Sequence, residues 1–207
     1  MKLLYGTTNP AKLNSMRRIT DSLGIELIGL RELSSSVPPV EETGKEPLEN
    51  ARLKAKAYQK AFSMSVFSCD SGLYFDELPE SEQPGTHVRR VNGKELTDAE
   101  MTAHYAALAA KHGGRLTGRY RNAISLVTAD GRCFESTDDS LMTEPFWLTD
   151  TPHEKRVEGF PLDRLSVDPL TGKYYYDLEN HAVDQSAIEQ GFGAFFEQVL
   201  AVLSKTE

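Results

Sequence analysis

The chain has 207 residues, 39% of them hydrophobic, which is enough for one sizeable core and does not require two independent domains. Its net charge of −8 lacks the basic excess that neutralises a phosphate backbone, which argues against polymeric DNA or RNA as a partner. Cys69 and Cys133 are too few for a disulfide scaffold and fit a reducing compartment, and no run has the length of a signal peptide or membrane span, so a cytoplasmic protein without a membrane partner is expected.

Residues 2 to 6 read as a short strand, after which Asn9 supplies an N-cap and Pro10 a first helical residue. Leu13, Met16, Ile19 and Leu23 recur at helical spacing until Gly24, and Ile25 to Leu30 is the next strand. Ser34 to Lys45 is rich in Ser, Pro, Glu and Gly and reads as a loop. Leu48, Ala51, Ala55, Tyr58 and Phe62 then mark one face of a helix whose other face carries Glu49, Asn50 and Lys54. Val66 to Cys69 is a strand expected to end at Asp70-Ser71-Gly72, with the glycine permitting a turn. Thr97 and Glu100 form a capping-box pattern opening a helix through about Lys111. Thr117 to Thr128 and Cys133 to Met142 are antiparallel strands across an Asp130-Gly131 turn, and Gly193 to Leu203 is a packing helix.

Chemistry has two natural places here. Gly6-Thr7-Thr8-Asn9-Pro10-Ala11-Lys12 joins a strand to a helix N-terminus, where free amides and the helix dipole favour an anion; the same residues also serve as ordinary caps. Glu41, Glu42, Glu49 and Asp70 would repel one another if gathered without a cation, and magnesium takes one or two carboxylates together with substrate phosphates. The five histidines show no zinc-ligand spacing, and no nucleophile motif for covalent catalysis appears.

Taken in order, Thr7-Thr8-Asn9-Pro10-Ala11-Lys12, Glu41-Glu42-Thr43-Gly44-Lys45, Glu49-Asn50-Ala51 with Lys54, Cys69-Asp70-Ser71-Gly72-Leu73, and Pro84-Gly85 with Arg89-Arg90 resemble the family of inosine/xanthosine triphosphate pyrophosphatases. The resemblance implies a mixed α/β fold over residues 1–207, with an elongated central mixed sheet flanked by helices and a single domain of two lobes whose cleft holds the substrate. It further implies a homodimer that hydrolyses a nucleoside triphosphate to monophosphate and pyrophosphate with Mg2+. Carried over by position, Glu42 and Asp70 hold the metal, Asp70 is the general base with Lys54 beside it in the catalytic group, and Thr7, Thr8, Asn9, Lys12, Lys54 and Ser71 bind phosphates. Cys69 stands where the family has an aspartate, from which a changed metal environment without loss of activity is expected.

The base-reading part departs further. In Gly159-Phe160-Pro161-Leu162-Asp163, Phe160 and Asp163 match the family's segment against the purine, while proline and leucine replace a glycine and an aromatic. Aligned without gaps, the family's lysine and Ser-His-Arg become Asn180 and Asp184-Gln185-Ser186, leaving Gln185 to meet the base; with a gap, His181 takes the histidine's place. Hence two expectations stand: a pyrophosphatase of non-standard purine nucleotides with altered base preference, or a nucleotide-binding or regulatory protein of this fold with little turnover.

Overall fold

The computed structural model describes residues 1–179 and 186–205. Its chain divides into two compact units, one of Met1–Ser71, Arg121–Met142 and Ser186–Glu207, the other of Gly72–Tyr120 and Thr143–Gln185.

In the first unit, β1 (Lys2–Tyr5) pairs in parallel with β2 (Glu26–Gly29) on one side and with β3 (Val66–Phe75) on the other. A central parallel strand is covered on both faces, which is why Leu3, Leu4 and Tyr5 are all buried instead of alternating with polar residues. Leu3 and Tyr5 join Phe67, Ile124 and Leu126 beneath α1 (Pro10–Ser22) and α4 (Ser186–Leu203), and Tyr5 stacks on Phe67 with ring centroids 4.4 Å apart. Leu4 and Val66 face Tyr58 of α2 (Pro47–Phe62). Helix α1 starts as its sequence demands: Asn9 Oδ1 accepts from the amides of Ala11 (2.9 Å) and Lys12 (3.3 Å), and proline fills the first position.

In the second unit, α3 (Asp98–Lys111) packs Met101, Tyr105 and Ala109 against Leu73, Phe75, Leu116, Phe146 and Leu148. The Thr97–Glu100 capping box is formed in both directions. A hairpin of β4 (Arg90–Val91) and β5 (Lys94–Glu95) precedes it. The long strand β6 (Arg115–Val127) passes from this unit into the first, pairing antiparallel with β8 (Phe146–Thr149) at one end and with β7 (Cys133–Ser136) at the other, and β9 (Ser166–Val167) adds to β8. The sheet order is β2-β1-β3-β6-β8-β9 with β7 on β6, a mixed sheet with four helices.

Four expectations are corrected. Strand β3 does not end at Asp70: it runs to Phe75, because Leu73 exchanges both backbone hydrogen bonds with Gly85 at 2.9 and 3.0 Å. Gly72 therefore makes no turn; a Cβ there would sit 2.7 Å from the Tyr74 ring and 3.1 Å from the Gly85 backbone, so the glycine permits a close approach. The strand after the Asp130-Gly131 turn stops at Ser136, since Asp138 caps a short 3-10 turn at Asp139–Leu141. Helix α4 begins at Ser186, and Gly191 lies inside it because a side chain there would strike Ser140.

Candidate active site

The strand, helix and loop of the first unit bring three charged side chains and one amide together. Asn50 and Lys54 are one turn apart on α2 and point the same way, toward β3. Helix α2 is itself fixed at its side: Arg52 grips Glu135 of β7 through Nε and Nη2, both at 2.7 Å. Asp70 sits in mid-strand on β3, where the sheet holds its backbone. Its Oδ2 accepts from Asn50 Nδ2 at 3.0 Å and its Oδ1 from Lys54 Nζ at 3.2 Å. The same ammonium donates to Glu42 Oε2 at 2.8 Å.

Asn50 is the residue that the sequence reading placed on the outward helix face with no task. It is buried, and its Oδ1 accepts from Gly44 N at 2.8 Å, so one amide ties the loop carrying Glu42 to the strand carrying Asp70. Gly44 leaves no room for a side chain, since a Cβ would lie 2.7 Å from that same Oδ1. Glu49 is drawn away from the carboxylates by accepting from Lys45 N at 2.7 Å.

Burial works to strip the proton from Lys54, but the charges and hydrogen bonds of Asp70 and Glu42 outweigh it and hold the ammonium above the ordinary lysine range. The two carboxylates thus already converge on one cation. That donor set suits magnesium, which is content with one or two carboxylates and completes its shell with water and phosphate oxygens. Among the described residues no group of three or more His, Cys, Asp or Glu could hold a metal.

The neighbouring residues have settled roles. Ser71 donates to Asn122 Oδ1 at 2.6 Å, and Asn122 Nδ2 donates to Leu141 O at 2.6 Å, a chain with no local signal among the residues that form it. Burial pushes the Cys69 thiol up to about 12, although the Tyr5 hydroxyl bonded to it acts the other way. Thr7 Oγ1 accepts from Asn9 N at 3.2 Å, and Asn9 is occupied as the cap of α1. The capping reading of these two residues therefore holds in the structure, while Thr8 and Lys12 are exposed.

Phe160 and Asp163 belong to the second unit. Phe160 is 58% exposed, a large apolar ring left open to solvent, and burial raises the Asp163 carboxyl above its usual range. Pro161 and Leu162 are buried, and Thr102 of α3 donates to the carbonyl of Pro161 at 3.2 Å. A cavity of about 1070 Å³ in this unit is lined by Arg89, Arg156 and Arg164 but equally by Glu95, Asp98 and Glu158, so it carries no net anion attraction. Asn180, His181, Asp184 and Gln185 lie outside the described residues, as does the side chain of Ser186. Among the described residues no helix is long and apolar enough to cross a membrane.

Comparison with known proteins places this geometry. A model of the Ham1 family matches residues 3–144. A dITP/XTP pyrophosphatase of Streptococcus thermophilus (strain CNRZ 1066) is 32% identical over 189 residues, 89% of this chain and 55% of that protein. One from Rhodopseudomonas palustris is 35% identical over 151 residues, 70% of each. The chain spans about half the length of the first of these relatives. Among solved structures, a HAM1 protein from Coxiella burnetii superposes with a TM-score of 0.73 at 23% identity, covering 99% of both chains, and the Staphylococcus aureus Ham1 protein with 0.70 at 24%, covering 96% of this chain and 99% of that one. Those two share the fold.

Proposed function

The chain belongs to the Ham1 family, and from that premise we propose that it hydrolyses nucleoside triphosphates, non-standard purine nucleotides among them, to the monophosphate and pyrophosphate with Mg2+, as a homodimer in the cytoplasm. The observation that carries the reading is the convergence of Glu42 and Asp70 on a single cation, with Asn50 fixing both the loop and the strand that present them. The dITP/XTP pyrophosphatases among its relatives supply the substrate class.

The residues divide the work as follows. Glu42 and Asp70 hold the metal, which when bound neutralises charge gathering on phosphate oxygens. Asp70 orients a water and takes its proton as the water oxygen bonds to the α-phosphorus. The bond from that phosphorus to the bridging oxygen breaks, and pyrophosphate leaves with the electron pair. Lys54 and Lys12 offer compact charges to the phosphates. Ser71 donates its hydroxyl proton to Asn122 Oδ1, and because phosphate oxygens only accept, it meets the substrate by turning that proton to a phosphate oxygen.

Base preference is proposed to differ from that of inosine and xanthosine nucleotide enzymes. Leu162, at the position of the family's aromatic, is a core residue of the second unit, so only Phe160 of this segment is free to lie on a ring. Pyrophosphate release measured over a panel of nucleoside triphosphates with Mg2+ tests both parts. Turnover of several nucleotides with ITP and XTP not dominant supports the reading. Dominant ITP and XTP turnover overturns the altered preference, and tight nucleotide binding without pyrophosphate overturns the enzyme.

A further inference from the structure

Lys54 stands where its proposed task does not put it. It is assigned to phosphate oxygens, yet its ammonium lies 2.8 Å from Glu42 Oε2 and 3.2 Å from Asp70 Oδ1, the two carboxylates on which a divalent cation depends. The Lys54 and Asp70 side chains are only 13% and 15% exposed, so water and salt do little to screen these charges from one another. Asp70 is not free to turn and serve a second cation with its other oxygen. Its Oδ2 is held by Asn50 Nδ2 at 3.0 Å, and Asn50 is in turn held by the amide of Gly44. Oδ1 is therefore the exchangeable side of the carboxylate, and Lys54 is its present occupant. Glu42, 43% exposed and on a loop, is the side from which an incoming cation reaches the pair.

We infer that Lys54 is the resident cation of the nucleotide-free site, exchanging with the divalent metal for the same two carboxylates and drawn off by the phosphates of an arriving nucleotide. The inference rests on the reading of Glu42 and Asp70 as metal ligands. On this account free divalent cation binds the nucleotide-free protein weakly, and metal enters chiefly in company with a triphosphate, whose oxygens give the ammonium new partners. Lys54 then serves twice: it cancels the repulsion of two carboxylates before substrate arrives and meets the phosphates afterwards.

The test is a titration of the nucleotide-free full chain with Mn2+, followed by the electron paramagnetic resonance of the free ion. Wild type, Lys54→Met and Lys54→Arg are compared, with Glu42→Gln added to the wild type and to Lys54→Met. Removing a unit charge this close to both carboxylates is expected to tighten Mn2+ binding about tenfold or more in Lys54→Met. Lys54→Arg, which keeps the charge, should give no such gain, and Glu42→Gln should weaken binding in both backgrounds. If Lys54→Met binds no more tightly than wild type while Glu42→Gln still weakens both, the exchange is overturned and the ligand assignment stands. If Glu42→Gln changes neither titration, the ligand assignment falls and the exchange with it. A second measurement needs no variant: amine labelling of Lys54 in the wild type, read by mass spectrometry, should rise several-fold when Mn2+ is added, and unchanged or reduced labelling overturns the inference.

Discussion

In the first unit, Glu42, Asn50, Lys54 and Asp70 arrive from a loop, a helix and a strand, three hydrogen bonds join them into one cluster, and a fourth ties Asn50 to the Gly44 amide of the loop. In the second unit, the segment from Gly159 to Asp163 spends its middle residues on packing, with Leu162 in the core and Phe160 left 58% exposed. The first arrangement is cross-linked, since Lys54 and Asp70 are each held by two partners. The second is a surface segment held by packing together with hydrogen bonds from Thr102 to the Pro161 carbonyl and from the Gly159 amide to Asp98. Residues that handle phosphate must hold like charges close together, which only a closed set of bonds permits, whereas residues that lie against a base need a flat apolar face and tolerate exchange.

The comparison breaks most severely at Asp70. Asp70→Asn keeps an acceptor for Asn50 but removes the base, and turnover should fall by about 10³-fold or more with the thermal midpoint little changed; retained turnover would remove Asp70 from the chemistry. Next is Asn50→Asp, which still accepts from Gly44 N but sets a carboxylate against Asp70. A loss of about 10²-fold in kcat is expected, and the reversed pair Asn50→Asp with Asp70→Asn should recover stability without recovering turnover. In the second unit the effects should be smaller and of another kind. Phe160→Ala should raise KM by about 3- to 10-fold while leaving kcat nearly unchanged, the loss expected of one stacked ring; an equal fall in kcat would place Phe160 in the reacting part of the site.

The smallest effect concerns acid stability at the start of α3. Hydrogen bonding by Lys94, then by Thr97, holds the Glu100 carboxyl down to about 2, and bonds from the Gly159 amide and Arg89 hold Asp98 below its ordinary value. Depressed carboxyls stabilise the fold fully above the unfolded range near ~4.3 and lose that contribution as pH falls through their folded values. Melting followed from pH 7 to pH 3 should therefore fall less steeply in Glu100→Gln than in wild type, although the variant starts lower. Both side chains keep more than a third of their surface open to water, 36% and 40%, which keeps the difference small. Equal slopes would show that these bonds contribute nothing.

Where the fold was legible, its signals are local. Asn9-Pro10 capping, the apolar stripe of α2 and the Thr97–Glu100 box each act within a few residues, and the structure repeats them. What escaped depends on partners far along the chain. Asn50 looks like a surface residue until strand β3 brings Asp70, 20 positions away, onto its amide. Ser71 and Asn122 are 51 positions apart. The turn read at Ser71-Gly72 came from a glycine whose real purpose is the approach of Gly85. Strands β8 and β9, of four and two residues, are too short for alternation to register, and they exist because β6 offers an edge.

The central claim is that water attacks the α-phosphorus, and isotope labelling tests it most directly. With dITP and Mg2+ in water enriched in ¹⁸O, the account predicts label in the nucleoside monophosphate and none in the released pyrophosphate. Label in pyrophosphate or in inorganic phosphate would contradict it.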